Sequence, residues 1–251
     1  MQAALKFIVI VGATSAIAEQ CARLWVQQGP VRLLLLARNR KRVEQVASDL
    51  RIRAPQSVVE VMTGNFENAA SIQSLVDGAV MHEVPHVVLI AHGFLPNQQA
   101  CQDDLAQTQA AIGINAISPV LFAEGFAKIL EHRGGGTLGI IGSVAGDRGR
   151  KSNYVYGAAK GLIERYAEGM QHRFAKTSIN VVLIKPGPTD TPMTASMGPT
   201  VLRLASPALV AGAIVSGIER GRDVVYAPQR WWLVMLIVRN LPRFVFNKLN
   251  I

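Results

Sequence analysis

Short, unbroken apolar runs alternate along the chain with longer segments in which apolar positions recur every three or four residues. The runs lie at 5–11 (LKFIVIV), 31–36 (VRLLLL), 58–62 (VVEVM), 86–90 (HVVLI), 137–141 (TLGII), 179–184 (INVVLI) and 224–226 (VVY). They are mostly continuous and rich in β-branched residues, the signature of strands buried on both faces, as in a parallel sheet. The segments between them predict helices over about 18–28, up to 53, 69–81, 102–132, 154–174 and 207–220. Strand and helix in strict alternation, joined by right-handed crossovers, predict one α/β domain with a doubly wound, seven-stranded parallel sheet over residues 1–228. Residues 229–251 form an amphipathic C-terminal tail of the same domain.

Composition narrows this. Of 251 residues, 49% are hydrophobic and 17% charged, so the chain can bury a large core and is not a disordered one. The net charge of +9 attracts anions, which leaves nucleic acid, acidic lipid or phosphorylated small molecules as partners. No basic-aromatic module or recognition motif accompanies the charge, so nucleic acid is not expected. Cys21 and Cys101 stand far apart and make no disulfide framework, which points to the cytoplasm. The five histidines are scattered without ligand spacing, so no metal site is expected. Met1 leads straight into the first strand rather than a secretory leader. No apolar run reaches the ~20 residues that span a bilayer.

The chemistry concentrates in one stretch. Ser143 follows the run at 137–141, at the carboxyl end of a strand, where open α/β sheets bind ligands. Tyr156 and Lys160 are four residues apart and share one helical face. A free phenol titrates near ~10, and a neighbouring cation favours its ionised form. The trio therefore reads as a proton donor, a tuning charge, and a hydroxyl that polarises a carbonyl. Upstream, the turn Gly12-Ala-Thr-Ser-Ala-Ile-Ala18 joins a strand to a helix, a setting in which backbone N–H groups face the phosphates of a dinucleotide.

Ser followed by Tyr-x-x-x-Lys at this spacing resembles the short-chain dehydrogenase/reductases, nicotinamide-dependent oxidoreductases of Rossmann-type fold, and the resemblance covers about residues 5–226. It implies that Gly12, Thr14, Ser15, Ala16 and Ile17 belong to a cofactor turn, with Ala16 and Ala18 where the family has two further glycines. The methyl of Ala16 narrows the approach of backbone to phosphate. No Asp or Glu lies between 31 and 43; Arg38, with Ser15 helping, suits a 2′-phosphate and so NADP(H). Asn65 and Phe66 take the places of an aspartate and an apolar residue beside adenine. Ala91-His92-Gly93 resembles a further cofactor segment with only its glycine kept; His92 reads as a packing or hydrogen-bonding residue. By resemblance, Asn115 holds a water linking the lysine to solvent, a cap or kink being the competing reading, and Tyr156 and Lys160 also meet the nicotinamide ribose. Pro186, Gly187, Thr189 and Thr191 lie in a Pro-Gly-x-x-x-Thr stretch that holds nicotinamide and pyrophosphate, followed over 192–204 by a substrate lid with Met193 and Met197.

The tail is the last signal. The run at 231–238 (WWLVMLIV) is interrupted by Arg239, Pro242 and Arg243 and followed by Phe244, Phe246 and Lys248. Such an element suits a membrane headgroup region; contact with a second subunit is the alternative. Together with the Gly12–Ala18 turn it resembles the family branch that reduces polyprenyl-phosphoryl 2-keto-pentoses. The expectation is thus an NADPH-dependent carbonyl reductase with Asn115, Ser143, Tyr156 and Lys160 as its catalytic set. Its substrate is a lipid-linked keto-sugar, with a soluble ketone as the alternative and an NADP-sensing binding protein further behind. It is expected to be a homo-oligomer in the cytoplasm, at the inner membrane surface.

Overall fold

The computed structural model describes residues 5–195 and 204–249. Seven parallel strands form one sheet in the order β3-β2-β1-β4-β5-β6-β7. They are β1 (Lys6–Val11), β2 (Val31–Ala37), β3 (Val58–Thr63), β4 (Val87–Ile90), β5 (Gly136–Ile141), β6 (Ile179–Pro186) and β7 (Val224–Ala227). The apolar runs of the sequence are these strands. Side chains alternate across a strand, so Ile8 and Ile10 of β1 enter one core layer while Phe7, Val9 and Val11 enter the other. The first layer is closed by α1 (Ala16–Gln28), α2 (Arg40–Arg53) and α8 (Pro207–Glu219), the second by α3 (Ala69–Ala79), α6 (Ser118–Arg133) and α7 (Tyr154–Phe174). Burial on both faces explains why the strands carry continuous apolar runs rather than alternating ones.

Local chemistry sets the boundaries. Asn39, Asn68 and Ser206 cap α2, α3 and α8 by accepting backbone N–H groups, and Gly134, at φ +82°, ends α6. The helix expected over 102–132 is instead four pieces: α4 (Gln98–Asp103), α5 (Leu105–Ile112), a π-helical turn at Gly113–Ile117, and α6. The first break occurs at Asp104, which is extended and uses its carboxylate to cap α5 at Ala106 N–H. The run Leu105–Arg133 is, against expectation, long and apolar enough to cross a membrane by length and composition. More than half of its apolar window is buried, so it serves as a core element here.

The tail is folded. It forms α9 (Arg230–Asn240) and α10 (Arg243–Phe246), with Trp231 and Met235 buried against Val144, Tyr226 and Val238. The outer side of α9 remains exposed at Trp232, Leu233, Leu236 and Ile237. The two ends of the expected lid are tied together, since Thr189 bridges Ala205 and Asp190 N–H donates to Ala205 O at 2.9 Å. Met193 lies half exposed beside them; Met197 is outside the described residues.

Candidate active site

The strand order reverses between β1 and β4, and the carboxyl ends of these strands and of β5 and β6 carry most of the expected site residues; Arg38 follows β2, Asn65 and Phe66 follow β3, and Asn115, Tyr156 and Lys160 stand on helical segments. This is the crevice in which doubly wound sheets take ligands. Gly12 begins the turn after β1 with φ +83°, and a Cβ on it would lie 2.6 Å from His92 N. Glycine is required there twice over, by backbone angle and by space. Gly12 and Ala13 N–H both donate to Leu36 O, which clamps the turn to β2. Ser15 stands at the cap position of α1 without a side-chain cap bond, so the helix makes no use of its hydroxyl. The first-turn N–H groups, from Ala16 and Ile17 on, have no carbonyl within the helix to meet. Thr14 borders a shallow polar recess lined by Glu19, Arg23, Arg42 and Asp49, away from the Ser–Tyr–Lys trio.

Arg38 is half exposed and faces Glu67 at 3.5 Å, an open contact that binds it weakly. Asn65 turns its Oδ1 back onto Glu67 N–H at 2.7 Å. Phe66 departs from the expected role. Its ring is 1% exposed and meets His92 and Phe122 edge-on at 5.1 and 4.9 Å, so it offers no ring face to an adenine. An apolar ring gains more from closing this core than from a partly wet cleft.

His92 fulfils the packing and hydrogen-bonding expectation. Its Nε2 lies 2.8 Å from Ser118 Oγ, and burial, then the charges of Lys160 and Arg38, hold its pKa down at about 3. The imidazole is therefore neutral. Its Nδ1 is buried without a hydrogen-bond partner among the described residues.

Asn115 is fully buried in the π-helical turn. Its Oδ1 accepts from Phe94 N at 2.9 Å and its Nδ2 donates to Ala111 O at 3.0 Å. The amide thus satisfies a carbonyl released by the wider turn and brackets the Gly93–Phe94 loop, the role expected of a residue at a kink. A Cβ on Gly93 would come within 2.8 Å of Asn115 Oδ1 and 3.6 Å of Lys160 Nζ, so Gly93, Asn115 and Lys160 belong to one small volume. Ala91, just after β4, is held by its N–H bond to Val11 O.

Ser143, Tyr156 and Lys160 come together. Ser143 follows β5, accepts from Ala145 N at 3.1 Å, and lies near enough to the Tyr156 phenol to favour its ionised form. Lys160 is 3% exposed; its Nζ sits 5.8 Å from the centre of the Tyr156 ring and donates to Ile141 O at 3.0 Å. Burial lowers its pKa to about 8. The expected depression of the phenol pKa is corrected. Burial raises it, and the nearby Ser143 hydroxyl opposes only part of the rise. The ammonium is aimed at a backbone carbonyl rather than at the phenol oxygen, so it does not reverse the effect of burial. A phenol kept protonated at neutral pH is the form that can donate a proton.

Pro186 ends β6, and Gly187 N–H donates to Ala227 O at 2.9 Å. A Cβ on Gly187 would fall inside the indole of Trp231. The tail therefore seals the back of this loop. Thr189 Oγ1 donates to Gly187 O at 2.9 Å, and Thr194 Oγ1 joins Thr191 N–H to Thr189 O, so both threonines shape the loop.

The sequence reading passed over a second charged group beside the trio. Lys185, 2% exposed, donates to Asp147 and to Glu164 Oε1 at 2.7 Å, and Tyr226 OH reaches Asp147 Oδ2 at 3.3 Å. Two signals were available: Lys185 is the one charge in the strand INVVLIKP, and Glu164 stands four residues after Lys160 on the same helix. Arg148, also passed over, donates to Val238 O and Leu241 O and stacks 3.8 Å over the Phe246 ring, fastening α9 and α10 to the loop after Ser143.

A doubly wound sheet with a glycine turn at its switch point and a Ser–Tyr–Lys trio at the same edge defines a dinucleotide-binding oxidoreductase. Comparison with known proteins agrees: residues 6–201 match the short chain dehydrogenase family, and the chain belongs to that family. It is 29% identical over 245 residues to an uncharacterized oxidoreductase of Mycobacterium tuberculosis, covering 96% of each chain. A second such oxidoreductase, from Streptomyces coelicolor, is 28% identical over 246 residues, covering 97% of this chain and 96% of that one. The fold matches a Sphingobium yanoikuyae short-chain dehydrogenase in complex with NADPH at a TM-score of 0.81 and 21% identity, covering 95% and 97% of the two chains. It matches a Burkholderia cenocepacia short chain dehydrogenase in complex with NADP at 0.82 and 17% identity over the whole of both chains.

Proposed function

We propose that the protein is an NADP(H)-dependent carbonyl reductase. The observation that carries this reading is Ser143 beside the buried Tyr156 phenol, with buried Lys160 behind it, at the edge where the glycine turn opens. The residues suit the cofactor. The free N–H groups at the start of α1 and the uncommitted Ser15 hydroxyl fit phosphate oxygens. The exposed Arg38 fork fits a 2′-phosphate, and two neighbours in fold were solved with NADP or NADPH. When bound, the nicotinamide supplies a hydride to the carbonyl carbon. Ser143 and Tyr156 hydroxyls polarise the carbonyl oxygen, and neutral Tyr156 gives it a proton. Lys160, with a pKa of about 8, is the adjacent group able to exchange protons near neutrality.

Its substrate, in this reading, is an anionic amphiphile such as a polyprenyl-phosphoryl keto-sugar, met at the cytoplasmic membrane surface. Support comes from the exposed apolar side of α9 and from residues 229–251, which hold four basic and no acidic residues. Packing of two subunits through the same face is the competing use of that surface. The test is NADPH oxidation against a panel of soluble ketones and polyprenyl-phosphoryl keto-pentoses, run beside Tyr156→Phe. The variant should bind NADPH normally and lose turnover by at least about 100-fold. Unchanged turnover in it removes the mechanism, and a wild type that binds NADPH but reduces nothing is a sensor instead. Leu236→Glu/Ile237→Glu leaves Trp231 in place; loss of binding to anionic vesicles supports the lipid reading, and loss of dimers replaces it.

A further inference from the structure

Three chain segments must be held in one arrangement for this site to work: the loop carrying Ser143, the helix carrying Tyr156 and Lys160, and the loop at Pro186–Gly187. None of the three is covalently close to another. Asp147 lies four residues beyond Ser143, Glu164 one helical turn beyond Lys160, and Lys185 immediately before Pro186. Lys185 donates to both carboxylates at once, so a single ammonium joins all three segments. The side chain of Lys185 is 2% exposed, that of Asp147 0% and that of Glu164 8%, so none of the three is paired through solvent.

We infer that Lys185, clasped between Asp147 and Glu164, is the positioning residue that fixes the Pro186–Gly187 segment against the Ser143–Tyr156–Lys160 trio. The inference rests on the cofactor reading above. Among the described residues, Lys185 bonds Asp147 and Glu164 rather than the trio, and it acts through the chain it anchors. Other charges around the clasp are consistent with this. Arg165 lies 3.4 Å from the same Glu164 oxygen, Arg239 acts on Asp147 from α9, and Tyr226 closes the remaining side with its hydroxyl on Asp147 and its ring 5.1 Å from Lys185 Nζ. The carboxylates are thereby neutralised from several elements, but among the described residues only Lys185 spans the three. An ammonium in the interior of a sheet is costly unless fully paired, and an apolar side chain at this strand position would hold the fold at less cost. Two buried carboxylates and a cation placed at this junction argue for geometry rather than for stability.

The experiment separates the two halves of the cofactor. The probes are NADPH, which spans the site, and 2′,5′-ADP, which reaches only the Gly12 turn and Arg38. The principal variant is Lys185→Met/Asp147→Asn/Glu164→Gln, which removes all three charges and leaves no lone buried ion. It should keep its 2′,5′-ADP affinity within about twofold, weaken NADPH by about tenfold, and lower turnover of the best panel carbonyl by about 100-fold. Lys185→Arg, which keeps the cation, should restore a large part of both losses. A folded triple variant with NADPH affinity and turnover unchanged overturns the inference. So does an equal loss for both probes, which marks the clasp as a support of the fold as a whole. Should the wild type bind neither probe, the cofactor reading fails, and this inference falls with it.

Discussion

Lys160 and Lys185 are buried to the same depth, 3% and 2% exposed, on neighbouring elements of one site. Among the described residues Lys160 has no carboxylate partner and donates to a backbone carbonyl, Ile141 O, and burial takes its pKa down to about 8. Lys185 faces the same cost of burial, yet its pKa is raised, because Asp147 and Glu164 bond and neutralise it. Partner, not depth, decides whether a buried ammonium keeps its proton. The contrast assigns the two residues different work. A lysine that nearly shares its proton at neutral pH suits proton traffic, whereas one locked between carboxylates suits fixed geometry.

The comparison breaks most visibly in stability. Lys185→Met strands two buried carboxylates and should destabilise the fold by about 3–5 kcal/mol, read as a large drop in Tm. Lys160→Met should do the reverse at pH 7, stabilising by up to about 3 kcal/mol while turnover collapses. The sign follows from proton counts. Between about 8 and the ordinary lysine value near ~10.4, the unfolded chain holds a proton that the native Lys160 has released. The Lys160 contribution to stability therefore rises with pH across that window, against the opposite contribution of buried Cys21, and Lys160→Met should lack it while keeping that of Cys21. Parallel Tm profiles in the two proteins, or a drop in Tm for both variants at pH 7, would erase the distinction.

A smaller effect tests how the trio is backed by the tail. Gly187→Ala puts a methyl into the Trp231 indole and should cost about 1–3 kcal/mol by overpacking. Gly187→Ala/Trp231→Leu should regain much of it, and NADPH affinity should follow the same order. If the single variant is neutral in Tm, Trp231 does not seal this loop.

Legibility in the sequence divided along the same line. Strands showed through because a sheet buried on both faces leaves continuous apolar runs, and Tyr156 and Lys160 showed through because their spacing is local. The break at Asp104 was hidden, since an aspartate inside an apolar helical stretch does not announce that it will cap a new helix rather than face solvent. The Lys185–Asp147–Glu164 clasp was hidden for a different reason. Its members are 17 to 38 residues apart in sequence, and only the folded sheet edge brings them together. Phe66 was read from resemblance and the Tyr156 pKa from its neighbouring cation; in the fold, burial outweighed both. The tail could be seen as apolar and basic, but its anchoring by Trp231 and Arg148 depends on loops some 44 and 90 residues away.

Arg38 completes the series as a cation in the open. Its guanidinium is 54% exposed and its contact with Glu67 is 3.5 Å, so neither burial nor a tight partner holds it. Such a group contributes little to the fold, and Arg38→Ser should leave Tm almost unchanged. What it can offer is a fork for a dianion at the end of β2. NADPH affinity should therefore fall by about tenfold in Arg38→Ser, while NADH affinity stays where it was. Because the site is wet, added salt should shrink the wild-type preference for NADPH, and it should do so more than it alters NADH binding. Equal losses for the two dinucleotides would place the 2′-phosphate elsewhere. The candidate would then be Arg42, which faces the recess beside Thr14 from the first turn of α2.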